Sequence, residues 1–135
     1  MPRVETWERL LSETIETART KPFVWGQHDC PTFAFETRTL LTAGEDAAAL
    51  WRGRYTTAFG GQRVMRRLGW SSLEDMGLAL LSEPRPTALL ARRGDIVLAD
   101  SGLGFGICIG AQAVGMAPEG LVTVPLTSCR LAWAV

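Results

Sequence analysis

The chain has 135 residues, 47% of them hydrophobic, and its 14 Lys and Arg balance its 14 Asp and Glu. That length suits a single domain over residues 1–135, able to bury a core without disulfide or metal support; zero net charge leaves no global field to draw it to nucleic acid or an anionic membrane. Cysteines at 30, 108 and 129 make neither an even disulfide framework nor a Cys/His metal spacing, so reduced thiols with no metal and no cofactor are expected.

Residues 1–7 carry one acidic side chain, Glu5, and lack the basic and apolar regions of a signal peptide. Every apolar run is interrupted well short of the roughly 20 residues a membrane span requires, so none is expected. Over residues 6–19, Trp7, Leu10, Leu11, Ile15 and Ala18 recur every three or four positions, which predicts an amphipathic helix ended by Lys21-Pro22. Phe23-Val24-Trp25 reads as a short buried segment.

The stretch Trp25-Gly26-Gln27-His28-Asp29-Cys30-Pro31 looks built for chemistry. Pro31 suits a first helical position, Asp29 suits a helix cap, and Cys30 would then lie at a helix N-terminus, where unpaired N–H groups favour thiolate over thiol. Cys30 is the candidate nucleophile, and His28, two residues away, the candidate base. The alternative is an inert packed thiol beside a loop histidine bonded to a backbone carbonyl.

A mostly buried helix is predicted over residues 31–42, stopped by Gly44. A helical turn over 46–51, a loop over 52–57 and a helix over 61–68 with an arginine-rich solvated face follow. Ser71 and Glu74 read as a capping box for a helix over 72–82. After Arg92-Arg93-Gly94 the period changes, predicting strands over 95–99, 105–109, 111–116, 121–124 and 129–135. A helical region over 4–83 and a β-rich region over 94–135 argue for an α+β domain, helices packed on a small antiparallel sheet or open barrel.

The Asp29-Cys30 pair before a buried helix, followed by Gly94-Asp95-Ile96-Val97, Gly104-Phe105-Gly106-Ile107-Cys108-Ile109-Gly110 and Met116-Ala117-Pro118, resembles the NlpC/P60 branch of the papain-like cysteine peptidases. The resemblance implies that fold and a Cys30 nucleophile, but Gly104 stands where that family places its catalytic histidine and Met116 where it places the polar orienter. With Arg52-Gly53-Arg54-Tyr55 and Ala132-Trp133-Ala134-Val135, the sequence is similar to small proteins of the DUF6950 type encoded among phage and prophage tail genes. That likeness implies a virion-tail component made in the host cytoplasm, with tail-tip or baseplate proteins as partners. A thiol without its base is a poor hydrolase, so a degenerate domain acting structurally or in docking is expected. The alternative is an active peptidase or amidase cutting peptidoglycan stem peptides; a third reading is an assembly factor.

Overall fold

In the computed structural model, which describes residues 2–135, helices precede strands and pack on one face of the sheet they form. Helix α1 (Trp7–Thr20) buries Leu11, Ile15 and Ala18 along one stripe. Lys21 then turns to extended backbone ahead of Pro22, as the residue before a proline must when its helical conformation is blocked. Phe23-Val24-Trp25 is not the buried segment expected, for Val24 is exposed and its two aromatic neighbours only partly covered.

Helix α2 (Cys30–Thr42) is the central element, burying Phe33, Ala34, Phe35 and Leu41 together with Thr32 and Thr37. Its threonines are tolerated because Thr37 donates to the carbonyl of Phe33 at 2.7 Å and Thr42 to that of Arg38 at 2.8 Å, returning each hydroxyl to the turn before it. Leu40 lies outside the core, half exposed. The helix closes on Ala43, at φ +52°, not on the expected Gly44.

A 3-10 turn (Ala47–Leu50) leads to helix α3 (Ala58–Arg67). This helix begins three residues earlier than periodicity indicated, because the Thr57 hydroxyl caps it by accepting from Gly60 N at 3.0 Å. Helix α4 (Leu73–Leu80) is capped by Ser72, which accepts from Asp75 N at 3.1 Å, while the Ser71 hydroxyl donates to the Asp75 carboxylate at 2.7 Å. The capping pair is thus one residue later than Ser71 and Glu74, and Glu74 is free to accept from Arg130 at 2.7 Å.

All five strands of the β-rich region are present: β1 (Ile96–Ala99), β2 (Phe105–Cys108), β3 (Gln112–Ala117), β4 (Gly120–Pro125) and β5 (Cys129–Trp133). They form one antiparallel sheet in the order β4-β3-β2-β1-β5. Side chains alternate between its faces. Ile96, Leu98, Phe105, Ile107, Val114, Met116 and Trp133 meet the helices, whereas Val97, Cys108, Ala113 and Ala132 pack with Leu126 and Ala88 on the other side. Phe35 of α2 joins the layers, edge-on to both Trp51 and Phe105 at 5.6 Å. Each fully buried aromatic or aliphatic side chain here contributes roughly 1.5–3 kcal/mol relative to exposure. The architecture is α+β, four helices on a five-stranded antiparallel sheet among the described residues.

Candidate functional site

The loop before α2 folds back on itself. Gln27 N and His28 N both donate to the Val24 carbonyl, at 3.0 and 2.8 Å, and Val24 N donates to the His28 carbonyl at 3.1 Å. Gly26 makes the reversal with φ +75°, and a Cβ there would lie 2.6 Å from the Tyr55 carbonyl oxygen, so glycine is required by both conformation and space. The turn delivers Asp29 to the start of α2.

Asp29 is buried, and its carboxylate accepts from Thr32 N at 3.1 Å, Gly26 N at 2.9 Å and the Tyr55 hydroxyl at 2.5 Å. It therefore caps the helix and also ties the loop to the segment around residue 55. That segment is a buttress. Gly53 N donates to the Gly26 carbonyl at 2.9 Å, and the Arg52 guanidinium reaches both oxygens of Asp46 at 2.8 Å and Glu36 at 2.7 Å. Trp51 Nε1 donates to Thr32 Oγ1 at 3.1 Å inside the core. Burial and the Asp29 contact raise the Tyr55 hydroxyl pKa, keeping it a donor.

Cys30 is the first residue of α2, partly buried, and lines a cavity together with Phe105 of β2. Burial, reinforced by the neighbouring Asp29 charge, pushes its thiol up to about 12 against a smaller lowering from the Phe105 backbone. The helix N-terminus was expected to favour thiolate; removal from water outweighs it. Cys30 lines two cavities. One, of about 220 Å³, also receives Trp25, Gly104, Phe105 and Met116; the other, of about 350 Å³, lies against α3 and includes Tyr55, Gln62 and Arg66. A Cβ added at Gly104 would meet no atom within 4 Å.

His28 is directed elsewhere. Its ring is buried, with Nδ1 3.1 Å from the Pro22 carbonyl, to which it donates, and it faces a groove between α1 and α2 that Cys30 does not line. Burial lowers its pKa, against a rise from the Pro22 bond. The structure thus joins Cys30 to Asp29, Gly104 and Met116 but not to His28, the one histidine in the chain. Cys108 and Cys129 are buried on the far face of the sheet. Among the described residues, no group of three or more His, Cys, Asp and Glu is placed to hold a metal ion, and no helix is long and apolar enough to cross a membrane.

Sequence reasoning missed Tyr55, which the Arg52-Gly53-Arg54-Tyr55 run carries; a tyrosine in a Gly- and Arg-rich loop gives no periodic signal, and only its contact with Asp29 across 26 residues makes it part of the site. It also left Gly94-Asp95 without a role. Asp95 is fully buried and its carboxylate accepts from Arg85 Nε at 2.7 Å, Arg92 N at 2.8 Å, Val135 N at 3.1 Å and Arg3 Nη2 at 3.2 Å. Four donors fill both oxygens, making it a structural knot away from Cys30.

A search of curated proteins finds no match. A family model described as Domain of unknown function (DUF6950) matches residues 2–135, and the chain belongs to that family.

Proposed function

We propose that this chain is an NlpC/P60-like domain that has lost hydrolysis and serves as a structural or docking component of a phage or prophage tail tip or baseplate, with neighbouring tail proteins as its partners. The observation that carries the loss of hydrolysis is the surroundings of Cys30: glycine at 104 in its cavity, and the chain's histidine bonded to Pro22 and lining a different groove. A cysteine hydrolase needs an imidazole within hydrogen-bond reach of its sulfur. The NlpC/P60 reading is supported by the order of the parts: Asp-Cys opening a buried helix, that helix against an antiparallel sheet, and positions 104 and 116 lining the same cavity as Cys30. The tail setting rests on the likeness of the whole sequence.

Purified protein incubated with peptidoglycan is expected to release no stem peptides, matching Cys30→Ser. Release that the serine variant abolishes would restore the peptidase reading. Because a side chain at 104 has open space, Gly104→His is expected to speed alkylation of Cys30 at neutral pH; an unchanged rate counts against a degenerate hydrolase cleft. Mass spectrometry of purified particles is expected to find the chain among tail proteins, and its absence there removes the tail assignment.

A further inference from the structure

The Arg3 side chain sits in surroundings shaped to its fork. Its Nε donates to the Val135 carbonyl at 2.7 Å, Nη1 to the Arg93 carbonyl at 2.7 Å and Nη2 to the Asp95 carboxylate at 3.2 Å. The Trp7 ring stacks on its other side, with the guanidinium carbon 4.2 Å from the ring centroid. Gly94, at φ +92°, leaves the space: a Cβ there would lie 2.9 Å from Nη1. One fully buried carboxylate, two convergent backbone oxygens, an aromatic face and a missing Cβ are the parts of a receptor for a planar, multiply donating cation. An ammonium ion could answer the charge but not the three directions.

We propose that this cradle is a guanidinium-binding site, that its ligand class is the arginyl side chain, and that Arg3 occupies it in cis as a latch for the segment preceding α1. The Gly94-Asp95 pair is then explained by this site: Asp95, whose other oxygen accepts from Arg85 Nε at 2.7 Å, offers Oδ1 to the fork, and Gly94 leaves the room.

The test is chemical rescue, read as the midpoint of urea unfolding. Arg3→Ala is expected to lower the midpoint, and methylguanidinium at roughly ten-millimolar concentration is expected to recover a measurable part of the loss by binding the vacated site. Wild type, whose site is filled, should not respond, and methylammonium should rescue neither protein. Equal responses of wild type and Arg3→Ala, or equal rescue by methylammonium, would overturn the proposal. If Arg3→Ala does not fold alone, folding restored by methylguanidinium supports the site. Arg3→Lys provides the remaining check: it keeps the charge and loses the fork, so a midpoint equal to wild type overturns the proposal and a lowered one supports it.

Discussion

The Tyr55 hydroxyl donates to Asp29 Oδ2 at 2.5 Å across 26 residues of sequence, so the cap of the central helix is held by the loop that precedes α3. Gly26 N reaches the same oxygen at 2.9 Å and Thr32 N the other at 3.1 Å. Tyr55→Phe keeps the ring against Gly61 and deletes only the hydroxyl. The carboxylate loses one of three donors while buried, which should cost about 1–3 kcal/mol. Urea denaturation measures it; a loss near zero would mean the contact is not formed.

Cys30 should alkylate slowly. With its thiol pushed up to about 12 from an ordinary value near 9, the thiolate fraction at neutral pH falls roughly a thousandfold. Iodoacetamide labelling at pH 7.5 should be at least about tenfold slower in the folded protein than in urea; comparable rates would contradict the protonated-thiol account.

The same thiol links stability to alkaline pH. The folded state holds this proton more tightly than the unfolded state, so the contribution is complete below about pH 9 and is lost as pH rises toward 12. Burial raises Cys108 and Cys129 in the same direction, so Cys30→Ala is needed to isolate the effect. The variant should show a shallower decline than wild type over that range; parallel curves would exclude it.

His28 acts with the opposite sign. Its folded pKa lies below the ordinary 6.5, so its neutral form stabilises the fold above that pH, and stability should decline as pH falls through the folded value. His28→Gln should flatten the urea midpoint between about pH 7 and 5.5, above the main carboxylate range. A wild-type midpoint already flat there would contradict the buried, neutral ring.

Gly77 in α4 meets the Trp133 ring so closely that an added Cβ would lie 2.6 Å from Cη2. Helix propensity alone favours alanine there by about 1 kcal/mol. Trp133 is fully buried, so overpacking by about 1–3 kcal/mol should win. Calorimetry of Gly77→Ala should show a lower Tm; a higher one would mean the indole moves aside freely.

Elements with a regular period were readable from the chain. Leu11, Ile15 and Ala18 mark α1, Pro31 and Asp29 mark the start of α2, and alternating runs after Gly94 mark every strand. What periodicity missed was set by single hydrogen bonds: Thr57 starts α3 early, and Ser72 rather than Ser71 caps α4. The thiol was misjudged because a helix terminus is visible in sequence and desolvation is not. Tyr55 and Arg3 were silent for a related reason, since their partners are 26 and 92 residues away.

Arg3 Nε reaches the Val135 backbone oxygen at 2.7 Å, and Val135 N returns to the carboxylate that Arg3 also bonds. One buried oxygen, Asp95 Oδ1, thus staples the stretch ahead of α1 to the stretch after β5, and neither staple lines a cavity beside Cys30.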